Sequence, residues 1–158
     1  MAKGDMFLLV EGQKTGTIKG EAQDEIHQDE IDVMGWSWGM ASQSGMGGSG
    51  GGLKTSLSEL KIVKAVDRAS TALMSVMRFG EVIKKAVLTA RKSGGGQIEF
   101  FKLTIEGGRI TSLEVGSPSG PELAEHLTIA FEKIEVEYFE QAVTGGRKGG
   151  SIFNTTVR

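Results

Sequence analysis

The sequence has no cysteine, only two prolines and two histidines, and no long apolar run. The missing cysteines exclude disulfides, thiolate metal ligands and thiol nucleophiles. His27 and His126 lie far apart and in no metal-ligand spacing, so both read as solvent-facing or incidentally hydrogen-bonded side chains and no metal or other cofactor is implied. The apolar stretch near the start, Met6 to Val10, is too short for a secretory core and far too short to cross a membrane. Membrane insertion is therefore not expected, and export would proceed without a conventional cleaved signal. A formal net charge of −2 gives no basic field for nucleic acid, and the pair Arg147-Lys148 is too small to supply one.

Catalytic templates are missing as well. There is no Gly-x-Ser-x-Gly turn and no serine set beside a recognisable base. The acidic stretch Glu21, Asp24, Glu25, Asp29, Glu30 and Asp32 lacks the alternating oxygen spacing and central glycine of a calcium loop, and reads as a solvated face. Gly50-Gly51-Gly52-Leu53-Lys54-Thr55 fails as a phosphate loop, because Leu53 separates lysine from glycine and the following Leu57 to Val66 reads as a strand. Asn154-Thr155-Thr156 fits a glycosylation sequon and is read as a chance match. No enzyme is expected.

What is abundant is glycine, 24 of 158 residues, about twice the usual share. The glycines cluster without a fixed period, which excludes collagen-like and solenoid architectures and marks turns between strands. The length fits one domain spanning residues 1–158, large enough to bury a core. Period-two alternation predicts strands over 98–105 (Phe101, Leu103 and Ile105 in phase), around Leu60, Ile62 and Val66, and around Ala86, Leu88 and Ala90. Another is expected over 109–115, with Thr111, Leu113 and Val115 in phase. Gly107-Gly108, between two such runs, predicts a hairpin. Residues 123–141 alternate with one slip, as one long bent strand or two short ones would. Ala69, Ala72, Leu73, Val76, Met77 and Gly80 instead form a single helical stripe, a helix over about 70–80 with Ser70 or Asp67 at its start and Gly80 at its end. The fold class is mainly β: a two-sheet barrel or sandwich of roughly nine or ten strands, one short helix and a long glycine-rich loop.

The remaining signal is surface. Trp36 and Trp38 share one strand face with Met34 and Met40, while Ile31 and Val33 take the other, leaving apolar residues on both sides of one strand. Such a strand serves a two-sided core or a subunit interface, where aromatics and methionine are enriched. An alternative is a monomeric β-sandwich module that binds carbohydrate or protein on an exposed indole platform. A more remote one is a glycosidase using Glu135 and Glu137, which share a strand face.

The chain also resembles the haemolysin-coregulated protein (Hcp) family, tube subunits of bacterial type VI secretion. The resemblance rests on an ordered set of segments: Asp5-Met6-Phe7-Leu8, Gly20-Glu21-Ala22-Gln23-Asp24, His27 to Met40 with Trp36-Ser37-Trp38-Gly39, and the glycines after Ser42-Gln43-Ser44. It continues through Val66-Asp67-Arg68-Ala69-Ser70, Lys84 to Lys92, and Leu127 to Tyr138. It departs at the C-terminus, where Gly149-Gly150-Ser151-Ile152-Phe153-Asn154 replaces a glycine-aromatic strand that often contains tryptophan. The resemblance implies a barrel that closes into hexameric rings. These stack into a tube inside a sheath, carry a spike, bind effectors in the lumen, and pass from the bacterial cytoplasm to the outside on firing. It further implies that Gly45, Met46, Gly47, Gly48, Ser49 and Gly50 serve ring stacking. Trp36 and Trp38 would then support the core or a subunit boundary, and Ser117 and Ser119 would face the lumen.

Overall fold

The computed structural model describes residues 5–42, 54–92, 98–141 and 147–157. Twelve strands and one helix are formed among them. The chain opens with β1 (Met6–Gly12), β2 (Gly16–Ile18), β3 (Ile31–Asp32), β4 (Gly35–Ser37), β5 (Met40–Ser42), β6 (Thr55–Leu57) and β7 (Leu60–Ala65). The helix α1 (Ser70–Arg78) follows, and then β8 (Ile83–Arg91), β9 (Glu99–Gly116), β10 (Ala124–Ala130), β11 (Lys133–Gln141) and β12 (Arg147–Thr156). Ten strands make one large sheet, ordered β2-β1-β8-β9-β10-β7-β4, with β3 on β1 and with β11 and then β12 branching from β9. The sheet is not closed, and β5 and β6 form a separate two-stranded ribbon.

The expected hairpin at Gly107-Gly108 is not formed. Residues 99–116 are instead one strand of 18 residues. Its first half pairs with β8 and β11, and its second half with β10. Two layers are thus built on one strand, because the glycines bend the chain without reversing it. Gly107 has φ +63°, and a Cβ there would stand 2.6 Å from Glu132 Oε1. Both observations call for glycine: the left-handed backbone and the room for the Glu132 side chain. Past the bend a register shift opposite Thr128 and Ile129 changes the phase. Ile110 is buried and Leu113 packs on the core, while Thr111 and Val115, expected in phase with Leu113, are exposed.

Residues 123–141 form two strands, β10 and β11, and the slip in their pattern falls at Phe131 and Glu132 between them. The single strand expected over 31–40 is instead three short ones, because consecutive residues there serve different layers. The Val33 N–H donates to Met6 O on β1, and the Met34 N–H donates to Val63 O on β7. The run from Leu57 to Val66 is likewise divided between β6 and β7.

The core lies between the layers, lined by Leu8 and Val10, Ile31, Leu60 and Ile62, Ala86 and Leu88, Leu103 and Ile105, Leu127 and Ile129, and Ile134. The helix adds Leu73 and Val76 to it, as its apolar stripe requires. The helix N-terminal residue is Ala69, with no side-chain cap. Asp67 and Ser70 act just outside: Asp67 Oδ1 accepts from the Ala69 N–H, and Ser70 Oγ from the Asp67 N–H. At the other end Gly80 has φ +68°, its N–H donates to Met77 O and the Glu81 N–H to Val76 O. This is the paired-bond glycine termination that satisfies the last carbonyls. Arg109 Nη1 then donates to Gly80 O, tying the helix end to β9.

Replacing Gly107 by alanine forces a side chain into the left-handed region and against Glu132. The expected cost is about 1–3 kcal/mol, measurable by urea unfolding. An unchanged midpoint would show that the bend needs no glycine.

Candidate functional site

Among the described residues, two buried polar clusters, a hollow of mixed lining and a set of exposed apolar side chains are features that could carry function. The first cluster lies under the helix start. Lys64 points inward from β7 in phase with Leu60 and Ile62, and Glu125 points inward from the facing position on β10. Both are fully buried. Lys64 Nζ stands 2.7 Å from Glu125 Oε1, 3.0 Å from Asp67 Oδ1 and 3.1 Å from Ser70 Oγ. The Ser70 hydroxyl donates to Glu125 Oε1 at 2.6 Å, while Glu125 Oε2 finds no hydrogen-bond partner among the described residues. A lysine beside a serine is a nucleophile–base spacing, but Ser70 is 1% exposed, so no substrate atom reaches its oxygen. The cluster is a clamp between helix and sheet.

The second cluster covers the outer face of β1. Residues 19–30 fold back on themselves, with Gly20 N–H donating to Asp29 O and Ala22 N–H to Glu30 O. They lie over Phe7, whose ring stacks on His27 at 4.5 Å. Arg91, the last residue of β8, holds Asp24 through both terminal nitrogens and stands 3.5 Å from Asp5 and 5.0 Å from the Phe7 ring centroid. His27 and Asp24 are therefore buried rather than solvent-facing, whereas Glu21, Glu25 and Asp32 of the acidic stretch are exposed, as a solvated face requires. His27 is 7% and Asp24 9% exposed, and Glu21 accepts from the Arg68 N–H. The Arg91 hydrogen bonds outweigh burial and, with the Ile26 N–H, hold the Asp24 carboxyl at about 2.

His126 stays exposed, on the wall of a hollow of about 720 Å³ on the outer side of β4, β7, β10 and the second half of β9. Its lining mixes Lys61, Glu114 and His126 with Ser112, Ser117 and Thr128. Ser117 sits at its edge, and Ser119 is exposed on the same turn. Trp36 lines the hollow too, but its ring stacks on Phe101 at 5.1 Å, and both Trp36 and Trp38 pack against the core. The indoles thus join layers and form no open platform. Met34 and Met40, expected on the same face, are exposed. Glu135 and Glu137 are half-buried in β11, Glu137 beside Lys102. The glycine loop Gly45 to Gly50 lies outside the described residues. No group of three or more histidine, aspartate or glutamate side chains with metal-binding geometry occurs among the described residues, and no described helix is long and apolar enough to cross a membrane.

Large apolar side chains remain uncovered on β11 and β12: Tyr138, Ile152 and Phe153 are each more than two-fifths exposed. β12 pairs only with β11 among the described residues. The sequence profile described as "Type VI secretion system effector, Hcp" matches residues 7–138, from β1 into β11. The chain belongs to the Hcp family of type VI secretion effectors. Among Hcp proteins, Protein hcp1 of Pseudomonas aeruginosa is 38% identical over 152 residues, 94% of this chain and 91% of that one. The crystal structure of a type VI secretion system effector from Yersinia pestis superposes with a TM-score of 0.77 at 26% identity, covering 97% of this chain and 100% of that one. Hcp1 from Salmonella typhimurium does so at 0.73 and 27%, covering 96% and 95%. The mainly β architecture with one helix is therefore that of the Hcp fold.

Lys64→Met leaves Glu125 charged and unpaired in the core, with an expected loss of about 3–5 kcal/mol in chemical unfolding, and adding Glu125→Leu should restore most of it. A single substitution that costs nothing would show that the pair is not buried. For Asp24 the folded value lies below the usual one, so its stabilisation is present above about pH 4 and lost as pH falls towards about 2. Asp24→Asn should therefore lower the melting temperature at pH 7 and have little effect at pH 2. Equal losses at both values would assign the residue a packing role alone.

Proposed function

We propose that this chain is the structural subunit of the type VI secretion tube. Copies close into hexameric rings, the rings stack within the sheath behind the spike, and the tube is expelled from the bacterial cytoplasm with its effectors, some held in the lumen. The chain acts without catalysis, as a single Hcp-like domain over residues 1–158. The observation that carries this reading is the open backbone edge of β12 among the described residues, flanked by exposed Tyr138 and Phe153 on one face and Ile152 on the other, on a chain of the Hcp family. A ring requires one patch of each copy to meet a different patch of the next, and an apolar strand with an open backbone edge offers such a patch. Burial of large aromatic and aliphatic side chains there is what a lasting interface needs.

In that assembly the glycine loop Gly45, Met46, Gly47, Gly48, Ser49 and Gly50 docks on the neighbouring ring. Trp36 and Trp38 support the core beside a subunit boundary, and Ser117 and Ser119 lie at the lumen. Ser117 lines a hollow whose wall sets Lys61, Glu114 and His126 beside apolar surface, and a mixed lining of that kind, suited to passing protein surfaces, supports this last assignment. The core packing of both indoles argues against the monomeric binding module, whose platform they would have to form.

The purified protein should run as a discrete six-fold multiple of its 16.8 kDa chain mass in native mass spectrometry or light scattering. A monodisperse monomer that persists on concentration overturns the ring.

A further inference from the structure

His27 makes an arrangement that the tube reading does not use. Its Nδ1 stands 3.0 Å from Glu30 Oε1 and its Nε2 2.6 Å from Glu99 Oε2. Glu30 belongs to the folded-back segment over β1, and Glu99 opens β9, so one imidazole ring joins two remote parts of the chain. An ionised carboxylate only accepts hydrogen bonds, and a neutral imidazole has only one N–H to donate. With a neutral ring, one of the two contacts sets a nitrogen lone pair against a carboxylate oxygen. With both nitrogens protonated, both contacts become charge-assisted hydrogen bonds.

The surrounding charges favour the same state. Among the described residues, the charged groups around this cluster are Asp24 and Glu30 on the segment itself, Asp5 before β1, Asp32 opposite Phe7 on β3, Glu99 on β9 and Arg91 on β8. Five carboxylates thus surround one guanidinium, and Arg91 is already engaged by Asp24 and Asp5. A cationic His27 reduces that excess. The ring is also shielded from water: Phe7 stacks on it, and its side chain and those of Glu30 and Glu99 are all less than one-fifth exposed.

We propose that His27 is a proton-dependent latch: with both ring nitrogens protonated it locks the segment around residues 22–30 and the start of β9 together over β1, and it releases them as rising pH removes one proton. The sign follows from the geometry. The closed state binds one more proton than the open one, so the latch is shut at lower pH and opens upward. Release affects the segment and Glu99, while the core strands keep their apolar packing. This local device is independent of ring formation and can be read on the protein in any assembly state.

The test uses the unaltered protein with histidine labelled by nitrogen-15. Long-range proton–nitrogen correlation spectra recorded across a pH series should show both His27 ring nitrogens protonated wherever residues 22–30 are protected. As pH rises and His27 loses one proton, hydrogen exchange corrected for intrinsic rates should accelerate about tenfold or more over residues 22–30, the scale of one charge-assisted hydrogen bond. Amides of Leu88 and Ile105 should be unaffected. A His27 ring with a single protonated nitrogen while residues 22–30 remain fully protected overturns the proposal. So does a segment whose protection does not change when the ring titrates.

Discussion

A strand of 18 residues has to satisfy its backbone hydrogen bonds on both edges while turning from one layer into the next, and the Hcp fold of this chain is organised around that demand. The first half of β9 stands between β8 and β11, whereas the second half pairs with β10. Because the bend falls at Gly107, with Glu132 filling the space a side chain would need, both layers inherit their relative angle from one glycine. The core between them is then enclosed by residues contributed from nearly the whole chain. Leu103 and Ile105 are from one side of the bend, Ile110 and Leu113 from the other.

The polar interior is arranged in two separated clusters. The one beneath α1 joins β7, β10 and the helix through Lys64, Glu125, Asp67 and Ser70. The one on β1 joins β8, β9 and the 19–30 segment through Arg91, Asp24, His27 and Glu99. Each ties a segment outside the ladders, α1 in one case and residues 19–30 in the other, to strands that are already paired with one another. Such groups have defined partners and directions, which apolar packing lacks, and the cost of leaving a partner unpaired penalises shifted registers.

Much of this was legible from local pattern. The helix over 70–80, the alternation of Ala86, Leu88 and Ala90, and the slip between 123 and 141 follow directly from periodicity. The hairpin at Gly107-Gly108 did not, since two glycines permit a reversal and a bend equally, and the choice is made by partners remote in sequence. The buried clusters were hidden for a related reason. Lys64 and Glu125 sit at inward positions of Leu60-x-Ile62-x-Lys64 and Glu125-x-Leu127-x-Ile129, a signal visible only once the two strands are known to be neighbours. His27 and Arg91 likewise look unremarkable until folding brings Glu99 and Asp24 beside them. The carbon-rich strand around Trp36 was readable as apolar on two faces, but not as three short pieces shared between layers.

That sharing gives the open sheet a mechanical character. Where β3 passes into β4, the two sides of the sheet are not joined by a ladder; they are joined through the consecutive N–H groups of Val33 and Met34, one bonded to Met6 and the other to Val63. Around most of the wall, outward pressure is spread along rows of parallel bonds that must fail together. At this seam, on the open side of the sheet, the load bears on a single dipeptide and the stacked rings of Trp36 and Phe101, so the seam is the compliant hinge at which the two layers part first when pulled.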